Sequence, residues 1–216
     1  MIPYAHHSID SGDVRAVAEV LRSDWITTGP KVLEFEEAIA TRTGARFGVA
    51  VVNGTAALHA AAYAAGIGPG DEVVVPAMTF AASANCVLYL GGTPVFADVR
   101  EDDLLLDPAE VEAKLTPRTK AIMAVDYAGQ PCDYDALRTI ADRHGLTLIA
   151  DSAHALGAEY RGRKVGTLAD LTTFSFHPVK HVTTGEGGMV VTDDDAVAAA
   201  CRSLRDYGRN QDAAAE

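Results

Sequence analysis

Apolar residues along the chain keep two alternating rhythms. Val14, Val17, Ala18 and Leu21 recur at i, i+3, i+4 and i+7, which predicts an amphipathic helix opening near Asp10 or Ser11. Val32, Phe35 and Ile39 mark one face of a second helix from about Lys31 to Arg42, with Gly44 as its stop. Phe47 to Val52 is a short apolar run that reads as a strand. Asn53-Gly54-Thr55 and an Ala-rich helix follow it at once. The alternation then repeats. Glu72 to Val75 is a strand closed by Pro76, Thr79 to Leu90 a helix, and Pro94 to Ala97 a strand. Asp107-Pro108-Ala109-Glu110 opens a helix with a capping carboxylate, a proline at the first helical position and an acid at the third. Ala121 to Val125 is a strand, Asp133 to His144 a helix stopped by Gly145, and Leu146 to Ala150 a strand that delivers Asp151. Leu171 to Ser175 and Met189 to Val191 are two more strands, and Ala196 to Leu204 the last helix.

Strands alternating with helices predict an α/β fold with a mostly parallel sheet. The strands are apolar throughout, as expected when helices cover both faces. No internal repeat or linker divides the chain, so residues 1–216 read as one domain. The end, DYGRNQDAAAE, closes no element and is expected to be a frayed terminus or the edge of a longer protein.

Composition narrows the function classes. Hydrophobic residues make up 48% and charged residues 22% of 216, which is globular composition. A chain of this length buries roughly 70% of the surface it exposes when unfolded. Lys and Arg number 18 against 30 Asp and Glu, leaving −12. That balance argues against nucleic acid and against an anionic membrane surface as partners. No basic-then-apolar leader is present, and no apolar run approaches the ~18 residues of a membrane span. Cys86, Cys132 and Cys201 lie far apart and form no C-x-x-C pair, so a reduced, cytoplasmic protein without a cysteine metal site is expected.

Ligands of open α/β sheets collect beyond the carboxyl ends of the strands, and several polar groups fall there. Gly54-Thr55-Ala56 opens a helix straight after a strand, which is either a phosphate seat or a plain cap and turn. Neither G-x-G-x-x-G after a strand nor G-x-x-x-x-G-K-[ST] occurs, so a dinucleotide or nucleoside triphosphate is not indicated. Asp151, at the end of a buried strand, needs a partner. A cationic heterocyclic nitrogen, a helix cap or a core ion pair would each serve. His154 is a donor to a ligand or a structural histidine. Pro178 breaks any helical pairing of His177 with His181, so no metal is expected there. Lys180, between Val179 and Val182 ahead of a small-residue run, is an imine-forming amine or a solvated charge. Phe80 is a ring-stacking aromatic or a core residue.

The stretches NGTAALHAA, GIGPGDEVVVPAMTFAASAN, DSAHALGAEYRGRKVG and FSFHPVKHVTTGEGGMVVT resemble the DegT/DnrJ/StrS family of sugar aminotransferases, and the resemblance runs to about Gly208. It implies the large domain of an aspartate aminotransferase-like, fold type I enzyme using pyridoxal 5′-phosphate. Lys180 would be the Schiff-base lysine and the proton carrier. Asp151 would face the pyridine nitrogen, His154 the phenolic oxygen and Phe80 the ring face. Gly54, Thr55, Ala56 and Ser175 would hold the phosphate. A nucleotide-sugar substrate, L-glutamate as donor and a homodimer are implied as well. MIPY and HPVKHVTTGEGG are similar to the members that aminate C4 of a UDP-4-keto-6-deoxy amino sugar in the pseudaminic acid pathway, with those forming aminoarabinose second. Dehydratases of the family carry His where Lys180 stands. Asn53 replaces a common Ser, and Asp126-Tyr127 replaces a His-aromatic pair, at positions expected to touch the sugar. Family members continue into a smaller C-terminal domain, so the chain is expected to be the cofactor-binding part of a longer enzyme.

Overall fold

The computed structural model describes residues 5–209. The opening MIPY and the last residues of the polar tail, 210–216, lie outside them. Two helices come first, α1 (Ser11–Arg22) and α2 (Pro30–Thr43). Then follow β1 (Phe47–Val51), α3 (Gly54–Ala64), β2 (Glu72–Pro76), α4 (Ala82–Tyr89) and β3 (Thr93–Ala97). Next are α5 (Pro108–Lys114), β4 (Thr119–Val125), α6 (Tyr134–His144) and β5 (Thr147–Asp151). A short hairpin, β6 (Glu159–Tyr160) with β7 (Arg163–Lys164), precedes β8 (Leu171–Ser175), β9 (Gly188–Thr192) and α7 (Asp195–Arg205).

Local chemistry sets the helix ends. Asp10 caps α1, accepting the Gly12 and Asp13 amides, while Asp13 accepts the Asp10 amide in return. Asp107 accepts the Ala109 amide with Pro108 at the first position of α5. Gly44 and Gly145 close α2 and α6 in the left-handed conformation, at φ 82° and 64°.

The seven-stranded sheet has the order β1-β9-β8-β5-β4-β2-β3. All its pairings are parallel except those of β9, which runs against both β1 and β8. The carboxyl ends of β1, β2, β4, β5 and β8 therefore share one edge with the amino end of β9. Alternate residues feed two cores. Val73, Val75, Met123 and Ile149 pack with α3, α4 and α7, and Val74, Ile122, Leu148 and Met189 with α2, α5 and α6.

Four expectations change. The helix expected from Thr79 starts at Ala82, because residues 77–81 carry the chain across the end of β2, with the Ala77 amide on the Ala97 carbonyl at 2.9 Å. The β6–β7 hairpin turns on Arg161 and Gly162, both at positive φ. Its two-residue strands are too short for any alternation to register. Edge strand β3 is not covered on both faces, and Phe96 stays half-exposed. Finally, α1 is amphipathic as expected, yet Val14, Val17 and Leu21 remain 60%, 61% and 68% exposed.

Candidate active site

A cavity of about 850 Å³ opens where the strand ends converge. Gly54, Thr55, Phe80, Asp151, His154, Ser175 and Lys180 all line it. Ala56 does not. Its amide donates to the Asn53 side chain at 2.9 Å, so the seat at the start of α3 offers the Gly54 and Thr55 amides instead. Those two amides make no hydrogen bond among the described residues.

Two glycines let this seat form. A Cβ on Gly188 would lie 2.2 Å from the Asn53 carbonyl oxygen, so only glycine lets β9 pass beneath the turn into α3. A Cβ on Gly54 would lie 2.8 Å from the Ser175 Cβ, so glycine brings the Ser175 hydroxyl against the helix N-terminus. Two free amides, a hydroxyl and the positive end of a helix dipole make an anion seat.

Asp151 ends β5 and is 6% exposed. Its Oδ2 accepts the Ser83 hydroxyl at 2.6 Å and its Oδ1 the Ala153 amide at 3.2 Å. Burial pushes the carboxyl above its ordinary range. The Ser83 bond foremost, then the Ala153 amide and the Lys180 charge, hold it down. This is a buried carboxylate with neutral donors and open acceptor capacity, suited to a cation.

Burial lowers the Lys180 amine, opposed by the Asp151 charge. The lysine sits in a turn after β8, its amide on the His177 carbonyl at 2.8 Å. Burial, then the Lys180 charge, lowers the His154 ring as well and favours its neutral form. The Tyr127 ring meets His154 edge-on at 6.5 Å. Phe80 is 77% exposed at the cavity mouth, so it is a lining residue and not part of the core. His181 donates through Nε2 to the Leu156 carbonyl at 2.9 Å, apart from His177.

Asp126 stands at the cavity wall beside Tyr127. It is 1% exposed, and its carboxylate accepts the Ser152 hydroxyl at 2.6 Å, the Tyr134 hydroxyl at 2.9 Å and the Cys132 amide at 3.0 Å. These bonds turn its carboxylate into the fold, although both Asp126 and Tyr127 line the cavity. Sequence reasoning missed Ser83 and the role of Asp126 as an internal anchor. A hydroxyl four residues after Thr79, in a run of small residues, was the available trace of Ser83.

The family described as DegT/DnrJ/EryC1/StrS aminotransferase matches residues 7–216. Among solved structures, DesI, determined with its TDP-sugar product, is 44% identical with a TM-score of 0.92, over 99% of this chain and 54% of its own. A Streptococcus pneumoniae protein described as a sugar aminotransferase, in its PLP form, is 36% identical with a TM-score of 0.90, over 94% of this chain and 57% of its own. Helicobacter pylori PseC, an aminotransferase of pseudaminic acid biosynthesis, is 36% identical with a TM-score of 0.90, over 95% and 56% respectively. The chain thus spans little more than half the length of these proteins. With the family match running through the strands and loops that build the cavity, the chain belongs to the DegT/DnrJ/EryC1/StrS aminotransferase family.

Proposed function

We propose that residues 1–216 form the cofactor-binding large domain of a pyridoxal phosphate-dependent sugar aminotransferase. The observation that carries this reading is the single cavity that joins an anion seat, a buried unpaired carboxylate and a desolvated amine. This donor set fits a phosphorylated pyridine aldehyde, with one group of the right charge for each of its polar ends. The pneumococcal relative in its PLP form and the family match support the same cofactor.

When bound, the cofactor supplies an electron sink for negative charge at the carbon bearing the amino group. The chain's own residues do the rest. The Gly54 and Thr55 amides and the Ser175 hydroxyl hold the phosphate at the start of α3. Asp151 keeps the ring nitrogen cationic. Phe80 covers a ring face at the mouth, and neutral His154 donates to a ring oxygen. Lys180, its amine deprotonated more readily by burial, attaches the cofactor and moves the proton at the amino-bearing carbon. The amino group comes from L-glutamate, which leaves as its 2-oxo acid, and goes to the keto carbon of a nucleotide-linked sugar.

The finer reading is a UDP-4-keto-6-deoxy amino sugar, aminated at C4. The HPVKHVTTGEGG stretch and the likeness to PseC support it. The higher identity to DesI favours a second reading, another nucleotide-linked keto sugar. A third reading is a cofactor-holding domain without turnover. A cytoplasmic homodimer belongs to the same reading. The test is an absorbance spectrum with pyridoxal phosphate, using Lys180→Ala as control and L-glutamate added last. A visible band in the wild type only, bleached by glutamate, is expected. A band that ignores glutamate supports the third reading. No band from the folded wild-type chain sinks the cofactor assignment.

A further inference from the structure

To face a cationic ring nitrogen Asp151 has to be ionised while buried, yet among the described residues it makes no salt bridge. The groups facing it are Ser83 and Cys86 from α4, Asp126 beyond β4, and His154 and Lys180 from the loops after β5 and β8. Asp126 adds negative charge and Cys86 is a protonated thiol, pushed up to about 12 by burial and then by the Asp151 charge. Ser83 is wholly buried, and its Oγ lies 2.6 Å from Asp151 Oδ2 and 2.7 Å from Thr79 Oγ1. A serine hydroxyl has one proton to give. An ionised carboxylate only accepts, so Ser83 donates to Asp151 and Thr79 donates to Ser83. The chain Thr79→Ser83→Asp151 has a single direction whenever Asp151 is charged.

We propose that Ser83, oriented by Thr79, is the positioning residue for Asp151: it fixes Oδ2, favours the carboxylate over the acid, and leaves the remaining acceptor sites to a cationic ring nitrogen. The inference rests on the cofactor reading above. In the cofactor-free chain the Ser83 hydroxyl already acts on Asp151, before any ligand arrives.

Two measurements test it. One is a ¹³C carboxyl titration of Asp151 in the cofactor-free chain, and the other is the Kd of pyridoxal phosphate. Ser83→Ala removes the donor, and Ser83→Cys fills the same space with a much weaker one, guarding against loss of fold. Both should raise the Asp151 titration midpoint and weaken cofactor binding by about 10- to 100-fold, the range for a bond to a charged group. Thr79→Val should shift Asp151 in the same direction by less, and Thr79→Ser should behave as wild type. A wild-type chain that binds the cofactor, beside a folded Ser83→Cys chain with unshifted Asp151 and equal Kd, overturns the role of Ser83 alone. A folded wild-type chain that takes up no cofactor overturns the functional reading itself.

Discussion

Asp126 and Asp151 end neighbouring strands, are both buried, and are held differently. Asp151 has a donor on each oxygen and faces a cavity. Asp126 has donors from Ser152, Tyr134 and Cys132, yet burial still pushes its carboxyl up to about 6. An unfolded aspartate titrates near 3.9, so between about pH 4 and about pH 6 the folded chain holds a proton that the unfolded chain has lost. Stability therefore falls as pH rises through that window, by about 3 kcal/mol from this group. Asp126→Asn removes the titration while keeping a polar side chain for the same partners. Urea unfolding from about pH 4 to about pH 7 should show a shallower decline for Asp126→Asn than for wild type. Parallel curves would refute the buried, protonating Asp126. Asp151 is also raised by burial and titrates in the same sense in both chains, so the difference between them reads the loss of Asp126 together with the change its charge makes on Asp151.

The decisive element is α3. Its amino end offers two free amides only because Asn53 takes the third and because β9 passes close beneath. Gly188 permits that approach. Gly188→Ala would set a Cβ 2.2 Å from the Asn53 oxygen, against backbone that has no flexible end to move. Overpacking of this kind costs about 1–3 kcal/mol, and here it also tilts the anion seat. Gly188→Ala is expected to lower the denaturation midpoint and to weaken pyridoxal phosphate binding together. Gly68→Ala is the control. Its Cβ would meet nothing closer than Asp71 Oδ2 at 4.0 Å, and both quantities should stay near wild type. Loss of stability in Gly188→Ala with unchanged cofactor affinity would separate the seat from the packing and refute their coupling.

At the scale of the molecule, the sheet is covered on both faces at its centre but not at its margins. Val17 and Leu21 of α1, Phe96 of β3 and Phe80 at the cavity mouth stay half or more exposed. On α1 alone, Val14, Val17 and Leu21 form one exposed apolar stripe, which marks an interaction face. The chain also spans only 54% of DesI. It is expected to associate with itself as concentration rises. Val17→Ser combined with Leu21→Ser should lower the mass seen by light scattering and leave the circular dichroism of the fold intact, since neither side chain enters the core. A wild-type chain that stays monomeric at high concentration would rule this face out as self-adhesive.

The amino-acid sequence by itself determined the kinds and order of the main elements. It also determined the caps at Asp10, Asp107, Gly44 and Gly145, and the strand ends at which Asp151, Ser175 and the start of α3 would stand. These are local properties: periodicity, capping chemistry and the conformational reach of glycine act within a few residues. Family motifs added the proposal that Lys180 attaches a cofactor, which spacing alone left open against a solvated charge. Only the tertiary structure decided which strands are neighbours, that β9 runs against the rest, and that Asn53 withdraws the Ala56 amide from the seat. It alone brought Ser83 onto Asp151 across 68 positions and Ser152 onto Asp126 across 26. Periodicity states which side of an element is buried, not what it is buried against. The partners of a buried charge are chosen when sheets and helices pack, and they come from wherever in the chain that packing brings a donor within reach.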